Sequence, residues 1–188
     1  MKTTKLILII VILIMGFQTS FSQEAETKTK EQKKIEKQQA KEAAQLQEKA
    51  DWQNLKTLFE NKDLVFAGSV IGGTTVDPSI NFIVIDGDKA VIQFANGFGG
   101  GANGIGGITL DGQIDSYKLK AGKPGKEIVL NMTVITQAGQ GVRGPVNIQL
   151  SAFSFDSSRI NIGAGTSFMD GRITSKADSK IFKGNTLN

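Results

Sequence analysis

The chain has 188 residues, 39% of them hydrophobic and 21% charged, and it contains 22 Gly, 3 Pro, no His and no Cys. This composition fits one globular domain with appended segments. Without His or Cys the chain has no Ser-His-Asp or Cys-His catalytic site, no soft-ligand zinc site, no disulfide and no lipid-attachment cysteine, and we expect no metal or cofactor. The formal charge of +4 is too small to predict a nucleic-acid partner.

The N-terminus has the three parts of a secretory signal. Lys2 and Lys5 precede ten uninterrupted apolar residues, Leu6 to Met15, and a polar stretch ends at Ser22. This order is typical of a signal peptide with a small-residue cleavage site. The alternative, a membrane anchor, needs about 20 apolar residues. The sequence therefore predicts a cleaved signal peptide at 1–22 and a periplasmic or secreted protein with no membrane segment after cleavage.

A charged segment follows the predicted signal. Residues 23–50 are rich in Glu, Lys, Gln and Ala, and their large apolar residues are Ile35 and Leu46 alone. A coiled coil would need apolar residues over three or more heptads. The segment is therefore predicted to be a solvated helix or a disordered tether.

The pattern changes at Asp51, a predicted N-cap. A short amphipathic helix is expected over 51–61, because Trp52, Leu55, Leu58 and Phe59 recur at helical spacing on one face.

Beyond Asn61 the hydrophobic period becomes two, which favours strands. Asp-Gly pairs between apolar runs, at Asp86-Gly87 and Asp111-Gly112, predict two antiparallel hairpins. Residues 51–188 are thus predicted to form a mainly β domain, a single antiparallel β-sandwich or barrel-like domain of about eight strands. The runs are Leu64–Ile71, Asn81–Ile85, Ala90–Ala95, Ile108–Leu110, Gln113–Leu119, Glu127–Thr136, Val146–Phe155, Arg159–Ala164 and Phe168–Thr174.

A glycine-rich stretch covers 97–107 and contains a G-x-G-x-x-G match. Dinucleotide binding needs a helix after that motif, whereas a strand is predicted here. The stretch is either a flexible hairpin connection or bulged strand edge, or it is a ligand or partner loop, in which missing side chains let backbone amides approach a ligand. We expect a permissive tip at 99–103 and a constrained base at 106–107. The candidate ligand-loop residues are Gly99, Gly100, Gly101, Asn103 and Gly104.

The chain shows no convincing catalytic constellation. The Asp86-Gly87-Asp88 run lacks the other ligands of a calcium loop. The preferred hypothesis is therefore a noncatalytic binding or structural role in the cell envelope, with an envelope protein or a small ligand as partner. The alternative is a carboxylate-only, glycosidase-like hydrolase, drawing on Asp77, Asp86, Asp111, Asp156 and Asp170.

Several stretches resemble one family. They are 81–93, 104–112 with Tyr117, and the ending 181–187. The chain from about Asp51 to Leu187 resembles the domain of unknown function 4251 family, which comprises exported proteins of Bacteroidetes. The resemblance implies a signal, a charged Lys/Glu helix and a β-rich envelope domain. The shared motifs are turns and strands, so it implies no active-site residue.

Overall fold

The computed structural model of the chain describes residues 30–136, 144–163 and 168–186. The predicted signal peptide lies outside these residues. The chain divides into two units, Met1–Ala40 and Lys41–Asn188. In the first, residues 30–40 are helical and exposed. The elements are α1 (Lys30–Asn61), β1 (Asp63–Ile71), β2 (Thr74–Thr75), β3 (Phe82–Asp86), β4 (Lys89–Ala95), β5 (Gly100–Gly101), β6 (Ile105–Ala121), β7 (Ile128–Thr136), β8 (Gly144–Ala152), β9 (Ser158–Ile162) and β10 (Phe168–Thr174).

The sheet is a closed antiparallel barrel of eight strands. Its hydrogen-bonded order runs β10-β9-β8-β7-β6-β4-β3-β1, and β1 also pairs with β10. The short strands β2 and β5 pair with β1 and β6 outside this ring. The prediction of a mainly β, antiparallel domain is confirmed, and the barrel is the form it takes.

The helix differs from the prediction at its N-terminal boundary. The sequence predicted a start at Asp51, but α1 runs without a break from Lys30, and Gln47 Nε2 donates to Asp51 Oδ1 at 2.8 Å within it. The predicted N-cap is wrong because the preceding Glu, Lys, Gln and Ala residues are good helix formers that can extend a helix without burying a face. Asp51 is an interior residue of the helix.

The second half of the helix packs into the barrel core. Trp52, Leu55 and Phe59 are buried there with the inward side chains of the strands. Trp52 Nε1 donates to the carbonyl of Lys126 at 2.8 Å, and Tyr117 Oη donates to the carbonyl of Phe59 at 2.6 Å. The helix therefore covers the barrel end at the β6–β7 turn.

The strand interior follows the predicted period of two. In β7 every second residue is buried, namely Ile128, Leu130, Met132, Val134 and Thr136. Burial of each large apolar side chain stabilises the fold by about 1.5 to 3 kcal/mol. The core of a barrel this size is filled by side chains.

One predicted hairpin is wrong. Asp86 pairs with Lys89 as expected for a tight turn, but β6 continues straight through Asp111-Gly112. Gly112 pairs with Ala90 on one side and Thr136 on the other. A Cβ on Gly112 would lie 2.5 Å from Val134 Cγ1. Glycine is therefore needed there for close packing of strands, not for a turn.

A second, smaller apolar cluster lies on the outside of the barrel. Val65, Phe82 and Val84 are buried in it, and Ile181 packs against them. Ile181 belongs to the C-terminal segment, residues 175–186, which follows β10. This segment crosses the outer surface, where Phe182 N donates to the carbonyl of Ser79 at 2.8 Å.

Candidate functional site

The barrel end away from the helix-covered end holds an apolar cavity of about 350 Å³, which we name the mouth cavity. It lies where β1 and β4 end and where β10 begins. Because neighbouring strands are antiparallel, the end of β9 reaches the same place. The lining residues are Ile71, Phe94, Ile160, Ile162, Phe168 and Met169.

The mouth cavity is suited to an apolar guest. Every lining residue is aliphatic, aromatic or a thioether. Ile160 and Met169 are buried beneath it, whereas Ile71, Ile162 and Phe168 are partly exposed around it. The Arg159 guanidinium lies 4.5 Å from the centre of the Phe168 ring and so holds that ring from outside. In the described part of the chain, no cluster of three acidic residues could hold a metal ion.

The glycine-rich loop begins at Gly97, three residues after Phe94, which lines the mouth cavity. Gly99, Gly100 and Gly101 are exposed and have φ of +75°, +68° and +65°, a region that favours glycine. A Cβ on Gly99 or Gly100 would meet nothing within 4 Å, but on Gly101 it would lie 2.4 Å from Gly107 N. The permissive tip predicted for 99–103 therefore has open space at Gly99 and Gly100 but not at Gly101, and the positive φ of all three glycines disfavours any side chain there.

The base of the loop is crowded. A Cβ on Gly106 would lie 1.8 Å from Asn96 Oδ1, and a Cβ on Gly107 would lie 1.8 Å from the carbonyl oxygen of Phe94. Gly106 also has φ of +83°. This crowding is the physical constraint that the sequence predicts for 106–107.

Asn103 holds the loop together from inside. It is 1% exposed, and its Oδ1 accepts from the amides of Ile105 and Gly107 at 3.1 and 2.9 Å. Its Nδ2 donates to Thr109 Oγ1 at 3.3 Å. Its neighbour Gly104, at φ of +79°, is exposed. The structure thus gives Asn103 internal partners and leaves the exposed glycines to face solvent.

Gln93, which sequence reasoning missed, connects this loop to the C-terminal segment. Its side chain is fully buried, and Nε2 donates to the carbonyls of Ile80 and Phe182 at 3.1 and 2.8 Å. Oε1 accepts from Thr109 Oγ1 and from Gly184 N, both at 2.8 Å. A polar residue inside an apolar strand was the available signal. Its partners in the C-terminal segment, Phe182 and Gly184, lie 89 and 91 residues away in sequence and were not predictable.

The five candidate aspartates do not form one site. Asp86 pairs with Lys176 at 2.7 Å and Asp111 with Lys183 at 2.8 Å. Two hydrogen bonds from Ser79, one from its hydroxyl and one from its amide, lower the pKa of Asp77. Each of these three carboxylates has a local structural partner.

The other two, Asp156 and Asp170, line the same cavity of about 630 Å³ on the outer surface, which we name the outer cleft. Its walls are the β8–β9 turn, the β2–β3 connection and the C-terminal segment, and its floor is β1 and β10. Arg159 engages both carboxylate oxygens of Asp170, at 2.6 and 3.0 Å.

No family profile matches the chain, and no curated protein matches it significantly. Among solved structures, it matches the crystal structure of a DUF4251 family protein from Bacteroides eggerthii. The TM-score is 0.52 at 20% identity, over 73% of this chain and 96% of that one. The chain has the fold of this DUF4251 protein. The resemblance indicated by the sequence is thereby confirmed at the level of the fold.

At 20% identity, the likeness to the DUF4251 neighbour concerns the fold alone. Its source agrees with the Bacteroidetes family that the sequence resembles. Within the described residues, no helix is both long and apolar enough to span a membrane.

Proposed function

We propose that this chain is a noncatalytic binding domain whose barrel mouth holds a small apolar molecule. The mouth cavity carries the proposal, because it combines an apolar lining with an opening at one end of the barrel. Its volume of about 350 Å³ falls in the range of small-molecule sites, which are concave and mostly apolar. Eight-stranded barrels can hold one small ligand in this way.

The two ends of the barrel support this assignment. At one end Trp52, Leu55 and Phe59 of α1 fill the core. At the other end Ile162 and Phe168 remain partly exposed beside the cavity. Phe98, 91% exposed at the glycine loop, adds apolar surface to the segment that follows β4. An apolar guest would gain about 25 cal/mol for each square ångström of lining that it shields from water.

The test is a fluorescence titration of the full chain with cis-parinaric acid, a fatty acid whose apolar polyene chain fluoresces when it is shielded from water. Ile162→Trp places a larger side chain at the mouth cavity, and we expect it to weaken binding at least ten-fold. Phe153→Trp is the matched control, because Phe153 is exposed in the β8–β9 turn at the helix-covered end. That variant should bind as the unmodified chain does.

Circular dichroism and the melting temperature of each variant show whether it is folded. If the unmodified chain binds no probe, or if folded Ile162→Trp binds as tightly as Phe153→Trp, the proposed site is wrong.

The proposal places the protein outside the cytoplasm, in the periplasm or cell envelope. The support is the sequence of residues 1–22, with two lysines before an apolar run and a small-residue end. Amino-terminal sequencing of protein from its native host should find a start near Gln23. An intact Met1 would contradict export by signal cleavage.

A carboxylate-only hydrolase is the second candidate, and the shared position of Asp156 and Asp170 in the outer cleft is the observation that favours it. Both oxygens of Asp170 are already held by Arg159, which leaves Asp156 as the accessible carboxylate. Hydrolysis of aryl glycosides that is abolished in Asp156→Asn would support the enzyme. Turnover at the uncatalysed rate would exclude it for those substrates.

A further inference from the structure

The outer cleft is a second concave site, separate from the mouth cavity. Five parts of the chain meet around it: β1, the β2–β3 connection at Pro78 and Ser79, the β8–β9 turn with the start of β9, β10 and the C-terminal segment. Its floor is made of small residues, among them Ala67 and Gly171. A Cβ on Gly171 would lie 2.3 Å from the carbonyl oxygen of Ala67. Because the two strands approach closely here, there is no room for a side chain at Gly171.

The charges in the outer cleft are not balanced. Arg159 and Asp170 neutralise each other as a bidentate pair, which leaves Arg172, Lys180 and Asp156 among the charged lining residues. The remaining set carries one net positive charge. It favours an anionic guest over a neutral or cationic one.

Arg172 is the group best placed to hold such an anion. It lies on β10 at the floor of the cleft, two residues from Asp170. Its guanidinium forms no ion pair or side-chain hydrogen bond within the part of the chain that the structure describes. A guanidinium presents a planar fork of donors that matches the two oxygens of a carboxylate or a phosphate. Arg159 cannot serve in the same way because Asp170 already occupies it.

The other polar groups suit a guest with hydroxyl groups. Ser157 and Thr174 line the cleft, and Asp156 offers an acceptor in the turn. The carboxylate of Asp156 would accept a hydrogen bond from a hydroxyl of the guest and would repel a bare anion. The set therefore combines a donor fork for an oxyanion with an acceptor for a sugar-like hydroxyl.

We infer that the outer cleft binds a small hydroxylated organic anion of the acidic-sugar kind, with Arg172 holding its oxyanion and Asp156 its hydroxyl. This site is independent of the proposed apolar site. Glucuronate binding should therefore be unchanged in Ile162→Trp.

The experiment is a titration of the full chain, followed by NMR chemical shifts, with D-glucuronate, inorganic phosphate and glucose at up to about 10 mM. We expect glucuronate to bind and glucose not to bind. Arg172→Gln should weaken glucuronate at least ten-fold. The matched control Lys118→Gln removes an exposed cation on another face and should have no effect. Added salt should weaken binding, because the cleft is open to solvent.

Asp156→Ala separates a hydroxylated guest from a bare anion. It should weaken glucuronate, because the hydroxyl loses its acceptor, and strengthen phosphate, because a negative charge is removed. Equal changes for both probes would overturn the hydroxyl part of the inference. No glucuronate binding, or equal binding by Arg172→Gln and Lys118→Gln, would overturn the site.

Discussion

Replacement of Gly107 by Ala tests whether the base of the glycine loop is constrained by packing. The added Cβ would lie 1.8 Å from the carbonyl oxygen of Phe94 and 2.7 Å from Ala95 Cα. Both contacts are backbone atoms of β4, so no side chain can rotate to relieve them. To make room, β4 and β6 must separate where Gly107 pairs with Ala95. The nearby bond from Gly97 N to the carbonyl of Ile105, 3.1 Å long, would be strained.

Overpacking of this kind costs about 2 to 3 kcal/mol. For a chain of this length, each kcal/mol lowers the melting temperature by about 2 to 4 °C, so Gly107→Ala should lower it by roughly 4 to 12 °C. The measurement is thermal unfolding followed by circular dichroism, with urea unfolding for the free energy.

Gly122→Ala is the matched control. Neither glycine has the positive φ that favours glycine, and a Cβ on Gly122 would lie 3.0 Å from Lys126 Cβ and 4.0 Å from the carbonyl oxygen of Glu127. Lys126 is exposed in the β6–β7 turn, where a small shift of the turn relieves the contact, so the loss should stay within about 0.5 kcal/mol. Equal, small losses in both variants would refute the packing argument.

Three further predictions concern the supports of the barrel. Gln93→Leu should lower the free energy of unfolding in urea by about 3 kcal/mol, because it leaves several buried partners unpaired; a loss below about 1 kcal/mol would show that the C-terminal segment does not depend on Gln93. Tyr117→Phe should cost about 1 kcal/mol at neutral pH. Burial raises the pKa of Tyr117 above its ordinary 10.0, so above pH 10 the folded state keeps a proton that the unfolded state releases, and the free energy of unfolding should fall as the pH rises. This fall should be smaller in Tyr117→Phe. Equal alkaline losses in the two proteins would contradict the role of Tyr117 in it. Deletion of residues 24–40, of which 30–40 are exposed, should change the melting temperature by less than about 2 °C. Trp52→Ala, in contrast, should lower the free energy of unfolding by about 3 to 5 kcal/mol. A large fall in the melting temperature of the deletion variant would show that the deleted segment supports the core.

The strands that the sequence predicted well have local signals. The Asp86–Lys89 turn joins two apolar runs, and β10 occupies the predicted Phe168–Thr174. Asp111-Gly112 carries the same dipeptide as the true turn, yet it lies within β6, where one long strand changes partners from β4 to β7. Pairing with β4 and β7 keeps Asp111-Gly112 in a strand, and the sequence around this dipeptide contains neither of those strands.

The choice between sandwich and barrel could not be made from sequence. It depends on pairs such as Phe66 with Ile173 between the first and last long strands, which lie more than a hundred residues apart. The same limit applies to the sites. The exposed glycines were identifiable from composition, whereas the mouth cavity joins Ile71, Phe94 and Ile162 only after the barrel closes.

We propose that the open end of the barrel binds an apolar molecule. The most direct measurement is methyl NMR of the full chain, labelled at Ile and Met methyl groups and titrated with cis-parinaric acid. We expect shifts concentrated at Ile71, Ile160, Ile162 and Met169, with Ile128 at the helix-covered end unchanged. Shifts confined to exposed residues such as Ile35 and Ile135, or no shifts at saturating probe, would contradict it.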